Sequence, residues 1–149
     1  MNTMRLSRPQ LSRRSALVGI AAVALSCKRE ERCRNCGMRI DQASVWRTEL
    51  VLADGKVVSF DTPRCAFSAW RSAKVSATSM RVHEYYDASG PMRDAAGLAF
   101  VLGGNVLGPM GPDLVPVEPG RVSKFIQDHE ADRALRLDEV TSETLASMK

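Results

Sequence analysis

Trp46-Arg47-Thr48-Glu49-Leu50-Val51-Leu52-Ala53-Asp54-Gly55-Lys56-Val57-Val58-Ser59-Phe60-Asp61-Thr62-Pro63 is the stretch that decides the fold. Trp46 to Val51 alternates and is rich in strand-forming residues. Asp54-Gly55 supplies the positive-φ residues of a tight hairpin, and Lys56 to Phe60 reads as the returning strand. Asp61-Thr62-Pro63 then starts a helix, with a polar cap followed by proline in the first turn. Ala66, Phe67, Trp70 and Ala73 give that helix one apolar face, and Arg81 to Tyr86 reads as a third strand. The order is β-β-α-β.

Downstream the order recurs. Gly97 to Leu102 reads as a strand, Gly103-Gly104-Asn105 as a turn, and Val106-Leu107 as the start of the return. Glu118-Pro119 opens a helix whose Val122, Phe125, Ile126 and His129 recur at i, i+3, i+4 and i+7, the spacing of one helical face. Arg133 to Val140 closes the unit as a strand. Where one residue separates Val58 from Phe60, nine separate Leu107 from Val117, so the second unit carries an insertion of about eight residues, Gly108 to Val115. It is rich in glycine and proline and contains Met110, which makes it a candidate functional loop. The expected class is α+β, two similar ββαβ units packed together, because a unit of about 50 residues has a marginal core alone. The expected organisation is 1–26, 27–44 with a Cys-x-x-Cys-Gly-Met motif, 45–90 for the first unit and 91–149 for the second.

Residues 1–26 stand apart. They hold Arg5, Arg8, Arg13 and Arg14 and no acidic residue, followed by the apolar run Ala16 to Leu25. A basic start, a short apolar core and small residues at its end describe a secretory signal, and the run is too short to span a bilayer. Arg13-Arg14 resembles a twin-arginine export signal, with the general secretory route as the alternative. Ala24-Leu25-Ser26-Cys27 resembles a bacterial lipobox, which would lipidate Cys27 and tether a domain to the periplasmic side of a membrane.

The whole chain of 149 residues carries 21 Lys and Arg against 17 Asp and Glu, a net +4. Without the four arginines of the signal, 17 basic residues face 17 acidic ones. Aromatic residues do not interleave with any basic patch. These features argue against nucleic-acid binding. No Ser/His/Asp set, paired-carboxylate spacing or phosphate loop is present, so ligands are on offer but no catalytic apparatus, and no enzymatic activity is expected.

The densest chemistry lies in Arg32-Cys33-Arg34-Asn35-Cys36-Gly37-Met38. Two sulfurs at Cys-x-x-Cys spacing reach one metal or one disulfide, and Met38 adds a thioether. Thiolate and thioether together select Cu(I), whereas zinc rarely takes methionine. Arg32, Arg34 and Arg39 are expected to lower the thiol pKa values. Cys65, in the first turn of the first helix, is a third candidate sulfur, with a thiolate expected to be favoured by the helix dipole. Met110 is a further candidate because it sits off any amphipathic face. Met92, beside Gly-Pro, makes a weaker case, while Met80, Met148, His83 and His129 read as structural. The competing readings are a Cys33–Cys36 disulfide, a thiol-disulfide oxidoreductase, and a structural zinc on Cys33, Cys36, Cys65 and His83 serving a protein-interaction module.

The chain also resembles the NosL family. The matching pieces are the signal ending at Cys27, Cys36-Gly37-Met38, Val58-Ser59-Phe60-Asp61, Gly108-Pro109-Met110-Gly111, Leu114-Val115-Pro116, the Phe125 helix and Leu135-Arg136-Leu137-Asp138-Glu139. They run in order through nearly all of 33–140. The resemblance implies a membrane-anchored Cu(I)-binding lipoprotein that accompanies assembly of nitrous oxide reductase, with the family's Cys-x-Met element on Cys36 and Met38 and its loop methionine on Met110. The sequence departs from the family pattern at Ala43-Ser44-Val45, where a His-Pro-Gly stretch is common, at Pro112, and in the additional sulfurs Cys33 and Cys65.

Overall fold

A computed structural model describes residues 30–148. The expected export signal and Cys27 lie outside them. The first unit comprises β1 (Thr48–Leu52), β2 (Val57–Phe60), α1 (Pro63–Arg71) and β3 (Ala77–Val82), with a short edge strand β4 (Arg93–Asp94). The second comprises β5 (Ala99–Gly103), β6 (Leu107–Gly108), β7 (Gly111–Pro112), β8 (Val115–Val117), α2 (Val122–His129) and β9 (Ala131–Arg136). A last helix, α3 (Ser142–Ser147), follows. The α+β class and the paired ββαβ plan hold.

The repeat is visible in the pairing. The first sheet runs β2-β1-β3-β4 and the second β8-β5-β9, both antiparallel, so each unit places its first strand between its second and third. Leu50 faces Val58 and Met80 in one sheet, as Val101 faces Val115 and Ala134 in the other. Each sheet even shifts register near the same point, at Val51/Leu52 and at Leu102/Gly103.

Local chemistry explains the elements. Gly55, at φ +80°, closes the β1–β2 hairpin without the penalty a side chain would meet. Thr62 caps α1, its Oγ1 accepting from the Cys65 N–H at 3.3 Å, and Pro63 fills the first turn, where an N–H is not needed. α2 ends at Glu130 in the left-handed conformation, φ 53°.

Several boundaries move. The third strand is Ala77–Val82, and Tyr85–Asp87 forms a 3-10 turn that seats Tyr85 and Tyr86 against Phe125 of the second unit. The closing strand is Ala131–Arg136, with a 3-10 turn at Leu137–Glu139. Val106-Leu107 does not begin the return strand. Leu107 enters a side hairpin, β6–β7, with Met110 at its turn, and the return is β8.

The units share one core. One face of the second sheet packs Val101, Val115 and Val117 on Phe125 of α2. Its other face sends Phe100 and Leu102 into the first unit's core with Leu50, Phe60 and Phe67. Phe67 and Phe100 meet edge to face at 4.9 Å, both fully buried. Burying each ring stabilises by roughly 2–3 kcal/mol, and the edge-on pairing adds about 1 kcal/mol. That seam fixes α1, and with it Cys65, relative to the hairpin of the second unit.

Candidate metal centre

Residues Cys33 to Met38 form a closed turn. The Cys33 N–H donates to the Met38 carbonyl and the Gly37 N–H to the Cys33 carbonyl, both at 2.8 Å, while Arg32 and Arg39 bridge at the base. Gly37 sits at φ +79°, so the turn needs glycine there. This geometry directs Cys33 into the core, 2% exposed, and leaves Cys36 half-buried.

From the other side α1 contributes Cys65, 4% exposed, and the end of β2 delivers Asp61, 5% exposed. The ligand atoms of Cys33, Cys36, Cys65 and Asp61 all lie within 4.8 Å of one another. The three sulfurs are free thiols. Cys36 Sγ donates to Asp61 Oδ2 at 3.3 Å, and Asn35 Nδ2 donates to Cys65 Sγ at 3.5 Å. Asp61 Oδ1 is buried and has no hydrogen-bond partner. A buried carboxylate oxygen without a partner carries a desolvation cost that a bound cation would relieve.

The thiols do not titrate alike. A hydrogen bond from the Cys65 thiol lowers Cys33 to about 6, against the opposing effect of burial. Cys65 is pushed strongly upward, first by donating to Cys33 and then by burial. Burial also raises Cys36, to about 11, and the neighbouring Cys33 and Asp61 add to the rise. Of the three thiols only Cys33 is shifted toward the thiolate, by the neighbouring Cys65 thiol. Two expectations are corrected. The arginines are not what lowers the thiol pKa: Arg39 pairs with Glu30 at 3.1 Å and Arg32 donates to the Gly37 carbonyl. Nor does the helix N-terminus make Cys65 acidic: the contact with Cys33 and burial push its thiol upward.

Met110 overhangs the same site. Cys36, Cys65, Asn35, Arg64 and Met110 line one open cleft of 590 Å³, with α3 along its far wall. Met110 is 49% exposed at the tip of β6–β7. The hairpin is anchored beside the cysteines. The Arg64 guanidinium donates to the carbonyls of Pro112 and Met148, and the Arg64 main-chain N–H donates to Asp113 Oδ1 at 2.8 Å. Met38 is 40% exposed at the end of the cysteine turn and does not line the cleft. Met92 is engaged elsewhere, its sulfur accepting from Arg47. Met80 and Met148 are core residues.

His83 is absent from the cluster, which overturns the zinc set built on it. Its Nδ1 contacts the Gly90 carbonyl at 3.2 Å, and the fourth group beside the cysteines is Asp61. His129 lies between Tyr85 and Asn105. Sequence reasoning read Asp61 only as part of the Asp61-Thr62-Pro63 helix start and did not count it among the ligands. The usable signal was Thr62: a good cap directly before Pro63 leaves Asp61 free for other work.

Comparisons with known proteins bear on the fold and the family. No curated protein matches the chain. Among solved structures, the crystal structure of the copper chaperone NosL from Shewanella denitrificans has the same fold, with a TM-score of 0.63 at 23% identity, over 76% of this chain and 91% of that one. The model of the NosL family matches residues 24–145, and on that extent of match the chain belongs to the NosL family.

Proposed function

We propose that this protein is a copper carrier that binds Cu(I) and hands it to a copper-accepting apo-enzyme, nitrous oxide reductase or its assembly complex. The observation that carries the reading is a cluster of three free thiols, two of which line a cleft with a half-exposed methionine at its rim. Cu(I) is the cargo. Cys36, Met38 and Met110 hold it, with Cys33 and Cys65 as further thiolates, and thioether with thiolate favours Cu(I) over harder ions. Met38 stands at the end of the cysteine turn, outside the cleft, and enters the set as the second sulfur of the Cys36-Gly37-Met38 element. Half-exposed ligands suit handover, because an acceptor's thiolates or imidazoles can displace them one at a time. Transfer is ligand exchange, so no enzymatic turnover is involved. The signal before Cys27 and a lipid on Cys27 would hold the domain at the periplasmic side of a bacterial membrane.

Anaerobic titration of the reduced protein with Cu(I) against a chromophoric competitor tests the reading. One tightly held Cu(I) per chain, lost in a Cys36→Ser, Met110→Ala double variant, is the expected result. Affinity unchanged in that variant would overturn the site. The Asp61 carboxylate supports a second reading, a structural zinc held by three thiolates and one oxygen, and stoichiometric zinc in the purified protein would favour it.

A further inference from the structure

Three thiols are more than a Cu(I) carrier needs. Two or three soft donors hold Cu(I), and Cys36 with two methionines already supplies them in the reading above, on which the present inference rests. Cys33 and Cys65 are therefore surplus to that set. Both are almost wholly buried, their sulfurs lie within 4.8 Å of each other, and neither is disulfide-bonded. Cys36 Sγ lies within the same 4.8 Å, but Cys36 is half-buried where the other two are buried, and its thiol is engaged by Asp61, donating to Oδ2 at 3.3 Å.

From this division we infer that Cys33 and Cys65 are a redox pair that reduces incoming Cu(II), leaving Cys36 as the thiol that retains the Cu(I) produced. The balance is two Cu(II) and two thiols giving one Cys33–Cys65 disulfide, two Cu(I) and two protons. Each cupric ion accepts one electron, and the sulfur–sulfur bond forms as both S–H bonds are lost. The two protons leave to water at the open cleft, which Cys65 lines. Thiolate and thioether ligands at the cleft favour Cu(I) over Cu(II), which drives the reduction forward. One Cu(I) stays on Cys36, Met38 and Met110, and the other leaves to solution ligands. The pair is restored by a dithiol reductant through thiol–disulfide exchange. Such a step would let the protein accept copper in the oxidised form that an oxidising compartment supplies.

The test uses the full chain carrying Cys27→Ser, so that only three thiols are counted. Anaerobic, reduced protein is mixed with Cu(II), the loss of the cupric EPR signal is followed, and remaining thiols are alkylated and mapped by mass spectrometry. Two Cu(II) reduced per chain, three labels falling to one, and that one on Cys36 are expected. A Cys65→Ser variant should reduce Cu(II) more slowly by about tenfold or more, since Cys33 loses the thiol that faces it. A Cys33–Cys36 disulfide, a label retained on Cys33 or Cys65, or a rate no faster than that of the urea-unfolded chain would each overturn the inference. The map reads sulfur pairing alone, so it stands or falls independently of the Cu(I) titration. A carrier that binds Cu(I) yet retains three labels after Cu(II) keeps the proposed function and loses this step.

Discussion

The main-chain N–H of Arg64 donates to Asp113 Oδ1 over 2.8 Å, joining the residue that follows the β6–β7 hairpin to the first turn of α1. Asp113 is 3% exposed, also accepts from the Leu114 N–H, and keeps Oδ2 without a partner. Burial raises its pKa to about 6, outweighing its hydrogen bonds and the nearby Arg64 charge. A carboxyl whose pKa is higher folded than unfolded stabilises the fold while protonated. That contribution is complete below about pH 4 and is lost as pH rises through about 6, a change of about 3 kcal/mol at most. Asp113→Asn keeps an acceptor oxygen for both N–H groups and removes the ionisation. The variant should therefore gain thermal stability over the parent as pH rises from 4 to 7. Equal Tm differences across that range would show that Asp113 titrates normally.

Asp61 acts on the thiols beside it. Its negative charge disfavours thiolates on Cys36 and Cys65. Asp61→Asn removes that charge and offers an amide N–H toward sulfur, so Cys36 should become more acidic. A lowering of half to one pK unit would speed iodoacetamide labelling of Cys36 at pH 7 by about three- to tenfold. Site-resolved mass spectrometry measures the rate, and unchanged or slower labelling would contradict this electrostatic role.

The seam between the units carries a stability prediction. Phe100 belongs to the second sheet but is buried against Phe67 of the first helix. Phe100→Ala removes a fully buried ring and its edge-on partner, a loss of about 3–5 kcal/mol. Because the core is shared, urea unfolding of the variant should remain a single transition at a lower midpoint. Two separate transitions, one at the original midpoint, would mean that the units fold independently.

How much of this was legible beforehand follows from which signals are local. Asp54-Gly55 marks the β1–β2 hairpin through backbone chemistry that acts within a few residues, whereas Gly103-Gly104-Asn105 only ends β5, and the return strand β8 comes after the β6–β7 hairpin. The Val122, Phe125, Ile126, His129 stripe likewise appears as α2. β3 began earlier than expected because Ala77, Thr78 and Ser79 are small or polar, and its pairing with β1 rather than its own propensity makes it a strand. α3 was missed although Thr141 caps it. At the centre, Cys33 and Cys36 are linked by one turn and could be grouped by spacing. Cys65 joins them only because the Phe67–Phe100 seam and the Thr62 cap orient α1, a long-range result that no short window contains. Asp61 was concealed because it reads as part of the Asp61-Thr62-Pro63 helix start, whose cap is Thr62.

Two methionines beside Gly-Pro steps, Met92 and Met110, separate cleanly once folded, and copper affinity should separate them too. Met92 Sδ accepts from Arg47 Nη2 at 3.5 Å, within a polar group that includes the Arg47–Glu49 ion pair at 2.6 Å. Met110 has no such engagement among the described residues and stands half-exposed on the rim shared with Cys36 and Cys65. Met110→Ala removes little buried surface, so stability should change by no more than about 0.5 kcal/mol. If its thioether holds Cu(I), affinity in the anaerobic competition assay should fall by about tenfold or more, equivalent to at least about 1.4 kcal/mol. Met92→Ala should leave affinity unchanged while lowering stability slightly, through the lost contact with Arg47. The reverse pattern, weakened copper binding on losing Met92 and none on losing Met110, would move the thioether ligand off the hairpin and remove the reason for Asp113 and Arg64 to anchor it.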